Sequence, residues 1–235
     1  MEIANSVALV TGANRGLGRQ FARQLLERGA AKVYATARNP DLVDLPGVEV
    51  LRVDITDPES VTAAAAAAPD VTLLVNNAGI ITGENLVTGD PAAIRLEMDT
   101  HFYGTLDVIR AFAPVLAANG GGAILNVLSS MSWVSYDRAT AYSAAKAAQW
   151  SLTNGVRVEL AAQGTLVTGL LLGPTDTDMT ASLDVPKNDP ADVVRAALDG
   201  IAEDRIEVLA DQGVVDLKAA LSADPTVLYP QATRV

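Results

Sequence analysis

Tyr142 and Lys146 stand four residues apart in AYSAAKAAQW, a spacing that puts both on one face of a helix. A free phenol near pKa 10 is a poor base at neutral pH. An ammonium beside it stabilises the phenolate and lowers that value, so such a pair can give a proton in one direction and take it in the other. His101, in MDTHFYGTLDVI, is the only histidine of the chain, and imidazole titrates near neutrality. Its helical neighbours Ile94, Met98 and Val108 make a largely apolar face, so a tucked structural histidine competes with a chemical one. A third group is TGANRGLG, Thr11 to Gly18, in which Gly12, Gly16 and Gly18 lie between an apolar run and a helical stretch. Backbone N–H groups at a helix N-terminus receive phosphate there, and a Cβ would block both the tight turn and the approach of the ligand. The spacing G-x-x-x-G-x-G differs from the G-x-G-x-x-G dinucleotide fingerprint, and a turn that serves packing alone is the other reading.

These groups need elements to hold them. VALV (7–10), KVYATA (32–37), VEVLRVD (48–54), VTLLVNN (71–77), GGAILNVLS (121–129), TLVTGLLL (165–172) and RIEVLA (205–210) read as strands. Helices are expected over 16–30, closed by Gly29, through the six alanines 63–68 up to Pro69, over 91–116, over 140–162 and near 190–202. Asp90 and Pro91 supply the N-cap and first-turn signals of the third of these. Continuous apolar strands mean that both sheet faces are covered, and strands alternating with helices imply right-handed crossovers. The expected fold is α/β, a Rossmann-like doubly wound parallel sheet of about seven strands with helices on both faces. No linker divides the chain, so one domain over 1–235 is expected, with 221–235 a tail that covers a neighbouring element or frays.

Composition narrows the function. Apolar residues make up 49% and charged ones 19%, enough for a sizeable core. A net charge of −11, from 28 acidic and 17 basic residues, argues against a nucleic-acid binder. The chain has no cysteine, which removes disulfide, thiolate-metal and thiol chemistry, and one histidine makes a metal site unexpected. The apolar run at the N-terminus is too short for a signal or a span, so a cytoplasmic protein with no membrane partner is expected.

TGANRGLG, the NNAG of 76–79 and the Tyr142–Lys146 pair together resemble the short-chain dehydrogenase/reductase family, in its order and spacing, from about residue 5 to 180. The resemblance implies the fold inferred above, a nicotinamide dinucleotide, and interconversion of a small carbonyl and an alcohol. It places Ser129, 13 residues before Tyr142, on the substrate oxygen, and Lys146 also on the nicotinamide ribose. Strand alternation turns the adjacent Ser130 the other way. It implies cofactor contacts at Gly12, Asn14, Arg15, Gly16, Leu17, Gly18, Arg38, Asp54, Ile55, Asn77, Ala78, Gly79, Tyr142, Lys146, Gly173, Thr175 and Thr177. Asn76 is implied to steady the central sheet. Asp54 resembles the residue that bonds the adenine amine, and capping of the helix that starts near Pro58 is an equal alternative.

Charge selects the dinucleotide. NAD-using members of the family carry an acidic residue at the end of the second strand, where this chain has Ala37 followed by Arg38. With Arg15 in the glycine loop, two guanidinium groups stand ready for a 2′-phosphate, and NADP(H) is expected over NAD(H). Solvated surface charge is the alternative for both.

Two places depart from the family pattern. His101 stands where the family keeps an Asn that holds a water between the lysine and solvent; an imidazole can hold that water and can also titrate. After the sixth strand, Leu172-Gly173-Pro174 replaces the usual Pro-Gly, while Thr177 keeps its place for the carboxamide. Trp133, Val134 and Tyr136 are candidate substrate walls, with core or interface packing equally open. The lid after Thr177 is short, which suggests an open cleft. The resemblance implies a homodimer or homotetramer built on the helices at 91–116 and 140–162; Ala144, Ala145, Ala147 and Ala148 of the second would admit close approach, with packing on the sheet as the alternative. A non-catalytic NADP(H)-binding regulator is the alternative function; a decayed site would be expected to lose its Tyr or Lys first.

Overall fold

The computed structural model describes residues 1–232; the end of the expected tail, 233–235, lies outside the described residues. Seven strands form one parallel sheet in the order β3-β2-β1-β4-β5-β6-β7. They are β1 (Val7–Val10), β2 (Lys32–Ala37), β3 (Glu49–Arg52), β4 (Leu73–Asn76), β5 (Ala123–Val127), β6 (Leu166–Leu171) and β7 (Glu207–Leu209). The strand order reverses between β1 and β4, which opens a crevice at their carboxyl ends. This is the doubly wound fold expected from the sequence.

Alternation along the strands divides the core between the two faces. Ala8 and Val10 meet Phe21 and Leu25 of α1 (Gly16–Glu27) and Val194 and Leu198 of α6 (Pro190–Ala202). Leu9, Leu74 and Ile124 meet Ile109, Phe112 and Leu116 of α4 (Thr105–Ala118) and Val156 of α5 (Thr140–Glu159) on the other side. The edge strand β3 departs from the expected double cover, since Glu49, Val50 and Arg52 are exposed. The alanine run forms α2 (Pro58–Ala67), capped by Asp57, whose carboxylate accepts from Glu59 N at 3.0 Å. That settles against Asp54 as the cap.

The helix expected over 91–116 is interrupted. It runs as α3 (Pro91–Met98), a π-helical turn over Asp99–Gly104, and α4. The wide turn carries His101, and such bulges are frequent where a helix serves a site. Gly104 closes it against the neighbouring loop, where a Cβ would come within 2.9 Å of the Ile55 carbonyl oxygen. The sequence reading also passed over α7 (Gln212–Ala220), whose cap is Asp211, and the short α8 (Pro225–Leu228). Within the tail, Tyr229 Oη accepts from Ser135 N at 3.1 Å. Among the described residues no helix is long and apolar enough to cross a membrane.

Candidate active site

The turn from β1 into α1 is built around glycine. Gly12 and Gly16 hold φ of 66° and 53°, and a Cβ on Gly18 would stand 2.1 Å from the Gly12 carbonyl oxygen. Asn77 secures the loop by donating from Nδ2 to the carbonyls of Thr11 and Gly12, at 2.9 and 3.2 Å. The backbone N–H groups of Asn77 and Ala78 both donate to Thr11 Oγ1. Asn77 therefore acts on the loop through its side chain. At the N-cap of α1, Arg15 is extended and its side chain makes no capping bond, so the first N–H groups of the helix are free of side-chain partners. A backbone cradle of this form at a helix N-terminus fits the pyrophosphate of a dinucleotide.

The other implied cofactor residues border this cradle or the strand ends beside it. Asn14 is half-buried and Leu17 packs into the core beneath it. The side chain of Thr177 lies over the loop, 3.5 Å from where a Gly16 Cβ would be. Arg15 reaches Asp178 at 3.3 Å in an exposed pair that contributes little to stability. Ala37 is buried at the end of β2, while Arg38 is exposed. Asp54 is turned inward on its own loop, accepting from Thr56 N and Oγ1; Ile55 beside it is buried. The Gly173 N–H is committed to Asp211 at 2.8 Å, which ties the loop after β6 to the start of α7. Thr175 is buried and donates to the Gly173 carbonyl.

Ser129, two residues past β5, caps a single 3-10 turn (Ser130–Ser132) and accepts from Met131 N at 3.1 Å. Its hydroxyl also acts on Tyr142, in the direction that lowers the phenol. Lys146 Nζ lies 5.7 Å from the centre of the Tyr142 ring and donates to the Val127 carbonyl and to Gln149 Oε1, both at 2.8 Å. Burial dominates the electrostatics. It raises the Tyr142 phenol, against the lowering influence of the Ser129 hydroxyl, and brings the Lys146 ammonium down to about 7. The expected lowering of the phenol by the ammonium is not met: burial, with the Glu97 charge, raises it.

His101 is 1% exposed and stands edge-on to Tyr142. Its Nε2 meets the Ile80 carbonyl at 2.8 Å, and a Cβ on Gly79 would come within 2.7 Å of its ring. The final glycine of NNAG is therefore what makes room for the imidazole. Burial first, and the charge of Lys146 second, hold the His101 pKa below its usual value.

Three buried polar residues here were not anticipated. Glu97, one turn before His101, is fully buried. Gln149 joins Lys146 to Thr105 Oγ1, to which its Nε2 donates at 3.0 Å. Asn126 accepts from Asn76 Nδ2 at 2.8 Å and donates to Thr153 Oγ1, locking β4, β5 and α5 together; Asn76 thus serves the sheet, as expected. The one available signal was spacing: Glu97 and Gln149 fall at helical intervals from His101 and Lys146. Of the candidate substrate walls, Trp133 packs beside Leu128, Leu171 and Val214, with Lys218 Nζ 6.0 Å from its ring centre, so its ring serves the α7 contact. Val134 is buried and Tyr136 is exposed.

Residues 6–188 match the family model for short chain dehydrogenase, and the chain belongs to that family of nicotinamide-dependent oxidoreductases. It is similar to an uncharacterized oxidoreductase from Staphylococcus saprophyticus, 33% identical over 215 residues, which cover 84% of this chain and 92% of that one. A short chain dehydrogenase from Burkholderia cenocepacia in complex with NADP superposes with a TM-score of 0.92 at 39% identity, over the whole of both chains. Another, from Burkholderia phymatum in complex with NAD, shares the fold with a TM-score of 0.84 at 23% identity, over 100% of this chain and 98% of that one.

Proposed function

We propose that this protein is an NADP(H)-dependent oxidoreductase that interconverts a small carbonyl compound and its alcohol. The observation that carries the reading is the buried contact set of Ser129, Tyr142 and Lys146 beside the glycine cradle. The bound dinucleotide supplies or accepts the hydride. Ser129 Oγ holds the substrate oxygen, and Tyr142 Oη gives that oxygen a proton in reduction or takes it in oxidation. Lys146 holds the nicotinamide ribose and sets the charge beside the phenol, and its bond to Gln149 steadies it. His101, in the place of the family's Asn, lies on the proton path between Lys146 and solvent. Arg15 and Arg38 grip the 2′-phosphate; release of Arg15 from the exposed Asp178 costs little. The NADP bound by the similar Burkholderia cenocepacia protein supports the same choice.

The reading includes a homo-oligomer formed on α4 and α5. Ala144 is exposed and Ala147 and Ala148 half-exposed along one face of α5, near the exposed Trp150, whereas Ala145 packs inward. Light scattering behind size exclusion distinguishes dimer, tetramer and monomer.

The direct test is NADPH oxidation, followed by absorbance, against a panel of ketones, aldehydes and diketones. Turnover with at least one carbonyl class is expected. Tight NADPH binding with no turnover across the panel would replace this reading with that of a cofactor-binding regulator.

A further inference from the structure

Glu97 is a buried carboxyl group to which the reaction described above assigns no part. One of its oxygens, Oε1, accepts from Thr82 N at 2.6 Å, in the loop that follows β4. The other, Oε2, lies 3.3 Å from His101 Nε2 and has no hydrogen bond of good geometry. A fully buried carboxyl oxygen left in that state is costly unless its neighbour compensates it. The neighbour is the imidazole, which faces Glu97 on its own helix, the Ile80 carbonyl, and Tyr142 and Lys146 of α5.

The tautomer of His101 follows from these contacts. Nε2 is 2.8 Å from the Ile80 carbonyl oxygen and 3.5 Å from the Ile80 N–H. The shorter contact requires a proton on Nε2, and the Glu97 oxygen beside that nitrogen requires the same. Nδ1 is then an acceptor, buried and without a hydrogen-bond partner, in a ring that touches Tyr142.

We propose that Glu97 is a positioning residue for this site: its carboxylate locks His101 as the Nε2–H tautomer and keeps Nδ1 as a buried proton acceptor in the ring that meets Tyr142. The role in turnover rests on the reductase reading; the hold on the ring does not. Glu97 also ties the end of α3 to the loop over 79–82 through Thr82, so one side chain touches both the imidazole and that loop. The same negative charge supports the Lys146 ammonium against its burial.

Because His101 is the only histidine, its ring nitrogens can be read directly in the 15N-labelled full chain. The wild type is expected to show a neutral ring with the proton on Nε2 throughout the neutral range. Glu97→Gln keeps the shape but removes the charge. If its amide oxygen keeps the Thr82 N–H, its NH2 group meets the Nε2–H donor to donor, so a mixture of tautomers is expected. Loss of the charge also withdraws support from the ammonium, so the alkaline limb of carbonyl reduction moves to lower pH by on the order of one unit.

A wild-type ring protonated on Nδ1, or one that titrates at the ordinary histidine value, overturns the proposal, and this measurement needs no variant. A folded Glu97→Gln protein with unchanged ring shifts overturns it as well. If the wild type reduces no carbonyl, the reductase reading fails separately, and the ring spectra alone decide whether Glu97 holds His101.

Discussion

The imidazole of His101 meets the ring of Tyr142 edge to face, with centroids 5.2 Å apart and planes at 89°. The chain's one histidine is therefore in contact with the proposed proton donor, on a helical turn widened to carry it. Burial and the Lys146 charge depress its pKa, so the ring is neutral at physiological pH and gains a proton only in more acid solution. Replacement by Asn removes that ionisation. The kcat profile of His101→Asn is expected to lose an acid-side limb that the wild type shows, and superimposable profiles would take His101 out of the proton path.

Tyr142→Phe removes the proposed proton donor and keeps the ring that packs against His101. Loss of a positioned acid costs about 10²–10⁴ in kcat. Turnover should fall by at least that factor, while the NADPH dissociation constant, read by fluorescence, stays within about twofold. Substantial residual carbonyl reduction would reassign the acid. Ser129→Ala should also lower kcat and, by removing the hydroxyl that opposes the effect of burial, push the phenol further up.

The proposed preference for NADP(H) rests on Ala37, buried at the end of β2, and on the two exposed arginines. An aspartate at residue 37 would repel a 2′-phosphate and accept from ribose hydroxyls instead. Ala37→Asp combined with Arg38→Leu should shift the kcat/KM ratio toward NADH by tenfold or more, since a charge-assisted phosphate contact is worth roughly 1.5–3 kcal/mol. An unchanged ratio would return both arginines to the solvated surface.

The fold was legible because its signals are local and repeated. Seven apolar runs, glycine after the first and helical stretches between them leave little choice of topology, and the α6 bounds of 190 and 202 match the expectation. Of the candidate site, what helical spacing sets was legible: Tyr142 and Lys146 do lie together. What the sequence hid depends on three-dimensional closure. The break at 99–104 follows from how the helix meets Ile55 and Gly79, neither of them near it in sequence. Asp57, three residues past Asp54, took the cap because its backbone is extended at the helix start. Nothing in residue type marks Glu97 as buried; the loop at Ile80–Thr82, folded over it, makes it so. The rise in the Tyr142 pKa came from the same source, since desolvation is a property of the packed site.

Lys146 makes stability depend on pH in a definite direction. Burial brings its ammonium from 10.5 down to about 7. Below that value the lysine is charged both folded and unfolded, so it adds no pH dependence. Between there and its unfolded value the unfolded chain holds a proton that the folded protein has released, and stability rises with pH. The gain is at most about 1.4 kcal/mol per pH unit. Tyr142, raised by burial, stays protonated over the lower part of this window and does not mask it. Lys146→Met removes the group. The unfolding free energy of the wild type relative to that variant, measured with denaturant in cofactor-free protein, should therefore climb from neutral pH toward about pH 9. A difference that is flat over that range would mean that Lys146 keeps an ordinary pKa and is charged in the folded site.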